Sequence, residues 1–236
     1  MNIKSKWICI STTALLTLTI AGNSFAVKTT FTDLTNISEK EKIIELQKNG
    51  YVNGVSSSLF APKGAVTVAE SIQLIVKVLD LNLDAVRFIK EPKATDYFKK
   101  AKNDAWYANA LITASVNGLD FPSDIDLRKE LSREEFTYYL VRSMELHEKL
   151  PMIKIVPPKI ADEDKISVNY EGAIQRAIVY GIVKLDKDGK FNPKAKMTRA
   201  GAAEQAYNAL EYLKAHKSQA QDPQQGQDAQ QGQDPQ

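Results

Sequence analysis

Apolar residues recur at helical spacing in six stretches of this chain, arranged as three pairs. In the first pair, Ile43, Ile44 and Leu46 share a face of one helix, and Ile72, Leu74, Ile75, Val78 and Leu79 mark a second. The middle pair begins with Trp106, Tyr107, Ala110, Leu111 and Ala114 and continues in a pattern opening at Ser132. The third has Tyr170, Ala173, Ile174, Ala177 and Ile178, then a pattern opening at Thr198. A glycine follows the first helix of every pair, at Gly50, Gly118 and Gly181, where a left-handed residue stops a helix at little cost.

The second helices open alike, with Thr67-Val68-Ala69-Glu70, Ser132-Arg133-Glu134-Glu135 and Thr198-Arg199-Ala200-Gly201. Their first residues are 65 and 66 positions apart (132−67, 198−132), the mark of repeated units that bury a shared core. Thr67 with Glu70, and Ser132 with Glu135, fit capping boxes. Phe60 and Phe191 each stand six residues before the apolar residue preceding the threonine. Between glycine and cap the spacing is 17 in the outer units (67−50, 198−181) and 14 in the middle one (132−118), whose loop is the divergent copy. A helix pair with one apolar stripe cannot bury it alone, so the units are expected to form one cooperative all-α domain.

The ends read differently. Residues 1–26 read as a secretory signal, with Lys4 and Lys6, an apolar run from Trp7 to Ile20, and Ser24-Phe25-Ala26 as the cleavage signal. That run is short for a membrane span, which takes roughly 20 residues, so no span is expected after cleavage. The units are placed at 27–90, 91–157 and 158–215. From 216 to 236 the chain becomes Gln-rich, as in Gln221-Asp222-Pro223-Gln224-Gln225-Gly226, and is expected to remain a disordered tail for want of side chains to bury. Cys9, the one cysteine, lies in the signal, so no disulfide or cysteine metal site follows.

Charge narrows the partners. Removing the two signal lysines from 31 Lys+Arg leaves 29 against 29 Asp+Glu. A neutral chain offers no electrostatic case for nucleic acid or an anionic membrane. No Gly-x-Ser-x-Gly, His-Glu-x-x-His or Gly-x-x-x-x-Gly-Lys string occurs, and His147 and His216 stand amid lysines and glutamates rather than beside a nucleophile. Asp186-Lys187-Asp188-Gly189 hints at calcium, but the residue that should be a twelfth-position glutamate is Ala195. No catalysis, cofactor or metal is expected.

Phe31-Thr32-Asp33, Gly181-Ile182-Val183, Asp188-Gly189-Lys190-Phe191-Asn192-Pro193 and Met197-Thr198-Arg199-Ala200 together resemble the S-layer homology (SLH) domain family. The resemblance runs from Phe31 to about Leu213. It implies a mainly α fold of three helix-loop-helix SLH repeats in a pseudo-threefold spindle, with grooves between neighbouring repeats. It further implies a secreted protein of the cell wall or cell surface in a Gram-positive-type envelope. The partner is then cell-wall polysaccharide, with other envelope proteins as a second class. Arg133 and Arg199 match the family's arginine position, where a planar guanidinium suits the carboxylate of a pyruvylated glycan. Ser132 and Thr198 stand beside them, and free backbone N–H groups of the first helical turn would add to each site. Asp33, Asp96 and Asp162 match an early aspartate that either holds a turn or accepts sugar hydroxyls. Trp106 is either a sugar platform or core. Val68 replaces the arginine in the first unit, leaving its groove without a cation. Either arginine could instead pair with a neighbouring glutamate, and the chain could instead be a protein-interaction module that no longer binds glycan.

Overall fold

The computed structural model describes residues 31–148, 150, 156 and 158–220; the signal at 1–26 and the Gln-rich stretch from 221 lie outside them. The described chain is helical, with α1 (Lys40–Lys48), α2 (Val68–Val78), α3 (Ala94–Tyr97), α4 (Ala108–Val116), α5 (Arg133–His147), α6 (Val168–Val179) and α7 (Arg199–Ala220). Short 3₁₀ turns at Thr32–Leu34 and Glu163–Lys165 open the outer units. Helix α7 continues to Ala220, past the boundary expected at 215, so the first residues assigned to a disordered tail are helical.

The glycine stops act as the sequence indicates. Gly50, Gly118 and Gly181 have φ of +80°, +77° and +70°. At each, the next residue donates its N–H back into the helix, Tyr51 to Leu46, Leu119 to Ala114 and Ile182 to Ala177, all at 2.9 Å. These are Schellman closures, which turn the chain away from the first helix and send it into the loop.

Packing between helices crosses the units. Helix α2 lies against α4 of the middle unit, α5 against α6 of the third, and α7 against α1 of the first. The second helices α2, α5 and α7 also meet one another along an axis. Ile72, Ile75, Phe136, Leu140, Ala203 and Ala206 are all fully buried. Several polar groups sit in this core: Ser71 Oγ donates to the Thr67 carbonyl at 2.8 Å, and Thr137 Oγ1 to the Arg133 carbonyl at 2.8 Å and Gln205 Oε1 at 3.0 Å, while Gln205 Nε2 is buried without a hydrogen-bond partner among the described residues. No single unit could bury its helices by itself.

A ring of backbone hydrogen bonds closes the spindle just before the second helices. Val66 N–H donates to the Met197 carbonyl at 2.9 Å, Met197 to Leu131 at 2.8 Å, and Leu131 to Val66 at 3.0 Å. Isolated bridges pair Ala65 with Thr198, Thr67 with Glu130 and Ser132 with Lys196. Each unit therefore contributes one residue to a closed triangle with no open edge.

Candidate functional site

The first turn of each second helix is where the sequence concentrates its candidate ligands. An α-helix leaves its first N–H groups without internal partners. Here the neighbouring unit takes the first two. Val68 and Ala69 donate to the Lys129 and Leu127 carbonyls at 2.9 and 3.1 Å; Arg133 and Glu134 donate to Ala195 and Pro193 at 2.8 and 3.1 Å. Arg199 and Ala200 donate to Gly64 and Pro62 at 2.8 and 3.0 Å. The third N–H goes to the cap: Glu70 to Thr67 Oγ1, Glu135 to Ser132 Oγ, both at 3.3 Å, and Gly201 to Thr198 Oγ1 at 3.0 Å. The expectation of free N–H groups for an anion is thus corrected: assembly of the three units uses those donors. Ser132 and Thr198 act as caps, and any anion recognition falls to side chains.

Arg199 reaches across to the first unit. Its Nε donates to the Phe60 carbonyl at 2.9 Å, Nη1 to Glu70 Oε1 at 2.8 Å and Nη2 to the Asn53 carbonyl at 2.9 Å. The guanidinium lies 4.8 Å from the Phe60 ring centroid, a cation–π contact, and the side chain is only 14% exposed. Beside it opens a groove of about 340 Å³ lined by Tyr51, Asn53, Phe60, Glu70, Gln73, Lys77 and Trp106 among others. Trp106 precedes α4, is 59% exposed and contacts Tyr107 edge-on at 5.3 Å, so its core alternative gives way to a groove-wall position.

Arg133 makes the related reach into the third unit with fewer partners. Its Nη2 meets the Lys184 carbonyl at 3.3 Å and its guanidinium lies 5.2 Å from the Phe191 ring. Its buried Nε has no hydrogen-bond partner among the described residues. Burial lowers its pKa from the ordinary arginine value, opposed by the fields of Glu204 and Asp186. A guanidinium with so high a starting value keeps its charge. In the first unit the equivalent position is Val68, fully buried. Its neighbouring Glu135 is paired with Lys129. Although burial opposes it, that hydrogen bond and those from Ser132 hold the Glu135 carboxyl below its usual range.

Two of the three aspartates brace loops. Asp33 accepts Phe60 N–H at 2.9 Å and Ala61 N–H at 2.7 Å; Asp162 accepts Phe191 N–H at 2.7 Å and Asn192 N–H at 2.9 Å. Against the opposing effect of burial, the two amides lower the Asp33 pKa. These bonds pin the left-handed residues Ala61 and Asn192, with φ of 58° and 59°, and set the fully buried Phe60 and Phe191 under the arginines. Asp96 differs: it is exposed and its carboxylate accepts the Lys93 N–H at 2.9 Å within the cap of α3. The middle loop lacks that brace, in step with its shorter length.

Sequence reasoning missed Glu70 as the partner of Arg199 and the carbonyls of Asn53 and Lys184. Both carbonyls stand three residues after a stop glycine (50+3, 181+3), a regularity visible in the repeat but silent about direction.

Among the described residues no helix is long and apolar enough to cross a membrane, and no cluster of His, Cys, Asp or Glu is arranged for a metal ion. Comparison with known proteins adds to this geometry. The S-layer homology domain pattern matches residues 30–70 and 159–203, which contain Asp33, Phe60 and Thr67 of the first unit and Asp162, Phe191 and Arg199 of the third. Over 184 residues, 77% of this chain, it is 29% identical to "Exoglucanase XynX" of Acetivibrio thermocellus, covering 16% of that protein. It is 28% identical over 80% of its length to "Amylopullulanase" of Thermoanaerobacterium thermosulfurigenes, covering 10% of that protein. A "Surface-layer 125 kDa protein" of Lysinibacillus sphaericus is 25% identical over 68% of this chain and 13% of its own. The chain thus spans between a tenth and a fifth of these relatives, so the likeness is to one module within each. Helix pairs and braced loops agree with the two matched regions, so the chain carries S-layer homology domain sequence at residues 30–70 and 159–203.

Proposed function

We propose that this protein attaches noncovalently to cell-wall polysaccharide, holding an acidic sugar residue at an arginine set between neighbouring repeats. The observation that carries the reading is Arg133, a charged guanidinium placed over Phe191 with a buried Nε unpartnered among the described residues. A guanidinium fork matches a carboxylate with two parallel hydrogen bonds, as a pyruvate ketal on a wall glycan would supply. Trp106, exposed beside the Arg199 groove, offers a flat apolar face to a sugar ring.

The reading is of a secreted, non-enzymatic binding module in a Gram-positive-type envelope. The matches to glycan-cleaving enzymes span only 16% and 10% of those enzymes, and their catalytic naming is not carried over. Cosedimentation of the full chain with wall sacculi, before and after chemical removal of the secondary polysaccharide, tests the proposal. Retention lost on stripping supports it. Equal retention on stripped walls refutes it and favours a protein partner.

A further inference from the structure

The two arginines face different residues at the third position of the neighbouring second helix, Glu70 for Arg199 and Gly201 for Arg133. The argument rests on the wall-glycan reading and deepens it. Glu70 has two tasks. Its Oε2 accepts the Thr67 N–H at 2.9 Å and the Thr67 hydroxyl at 2.8 Å, completing the capping box, while Oε1 accepts from Arg199 Nη1 at 2.8 Å. With the Phe60 and Asn53 carbonyls on its other nitrogens, Arg199 already has an internal carboxylate in the place where a ligand's would bind.

Pseudosymmetry gives the Arg133 position a different residue there. Glu70 is the third residue after its cap Thr67; the third after Thr198 is Gly201, which has no side chain to offer. Arg133 has no ion pair among the described residues. The two carboxylates whose fields it feels are otherwise engaged, Glu204 with Lys42 Nζ at 2.9 Å and Asp186 with the amides of Asp188 and Lys190 at 2.9 Å.

We infer that Glu70 is a built-in carboxylate that closes the Arg199 groove to anionic ligands, and that Gly201 leaves the Arg133 groove open to them. The chain then holds one acidic sugar, at Arg133, although it carries two arginines in matched positions. Glu70 is a specificity-determining residue that acts by occupying Arg199.

Two exchanges test this. Glu70→Gln removes the charge and keeps the cap, since glutamine also serves at that position of a capping box. Gly201→Glu installs the missing carboxylate; its Cβ would meet Thr198 Oγ1 at 3.1 Å and Met197 Sδ at 3.6 Å, a tight but adjustable fit in helical backbone. The arginine Nε–H resonances of the full chain are followed by NMR during titration with sodium pyruvate and, separately, with a methyl glycoside bearing a pyruvate ketal. In the natural chain only Arg133 responds to the glycoside. In Glu70→Gln both arginines respond, with Arg199 binding at least about tenfold tighter than before. In Gly201→Glu the Arg133 response weakens by a similar factor while the melting temperature does not fall.

Equal Arg199 responses in the natural chain and Glu70→Gln would overturn the inference, as would an Arg133 response untouched by Gly201→Glu. If no variant responds to the glycoside but Arg199 responds to pyruvate in Glu70→Gln alone, the gate stands and the wall-glycan reading falls.

Discussion

Replacing Asp162 by alanine should cost this protein far more than the same change at Asp96, although both occupy the early-aspartate position of a repeat. Asp162 is 4% exposed and its two oxygens each hold a loop amide, at 2.7 and 2.9 Å. Hydrogen bonds to a charged group contribute about 1.5–3 kcal/mol each, so alanine removes about 3–6 kcal/mol before relaxation. The Phe191 amide is left in a buried residue, whereas Asn192 is exposed enough for water to compensate. We therefore expect a loss of about 3 kcal/mol, near the lower bound. For a domain of this size that lowers the melting temperature by about 6–12 °C. Asp96 is exposed and holds one amide at 2.9 Å within a four-residue helix, so Asp96→Ala should cost about 1 kcal/mol or less. Urea unfolding and calorimetry of both variants give the comparison. Equal losses would refute the assignment of Asp162 to loop bracing. So would an Asp162→Ala protein of natural stability with impaired glycan retention, which would return that aspartate to the ligand.

The arginines should separate in the same assay: Arg199→Ala loses three hydrogen bonds of 2.8–2.9 Å and should cost about 2–3 kcal/mol, while Arg133→Ala, with one hydrogen bond at 3.3 Å, should cost about 1 kcal/mol or less. Comparable losses would contradict the contrast in pairing. Asp33 and Asp186 titrate below their ordinary 3.8 and Glu135 below its ordinary 4.5. Because folding depresses these values, the unfolded chain takes up protons first as pH falls; stability is present above the ordinary values and is lost as pH drops through the depressed ones. Urea midpoints should accordingly fall as the pH is lowered through the ordinary carboxylate range and beyond it, and less steeply in Asp33→Asn. A Gly118→Ala exchange meets no atom within 4 Å but keeps φ at +77°, so it should cost about 1–2 kcal/mol from backbone strain alone, read by the same denaturation.

What the sequence made legible was local. Apolar periodicity placed α1, α2, α5 and α6, and the left-handed glycines and the boxes at Thr67 and Ser132 behave as their residue types dictate. The apolar stripe includes Trp106 and Tyr107, yet α4 begins only at Ala108, because such a stripe does not mark where a first turn closes. The rest was hidden because it is made between units. Asp33 reaches amides 27 and 28 residues away, and Arg199 meets Glu70 at a separation of 129. The capping-box pattern accounts for one Glu70 oxygen and is silent about the other. The closing ring of Val66, Leu131 and Met197 likewise uses main-chain groups, which leave no trace in side-chain pattern. For the same reason the helix N-termini looked open to an anion when the next unit fills them.

The central claim is that Arg133 reads a carboxylate on wall polysaccharide. Its most direct measurement is equilibrium binding of soluble secondary wall polysaccharide, with its ketal carboxylates intact or removed by mild acid, to the natural chain and to Arg133→Ala. The account predicts that affinity falls at least about tenfold on removing either the carboxylates or the guanidinium, and little further when both are absent. Unchanged affinity in both single cases would contradict it.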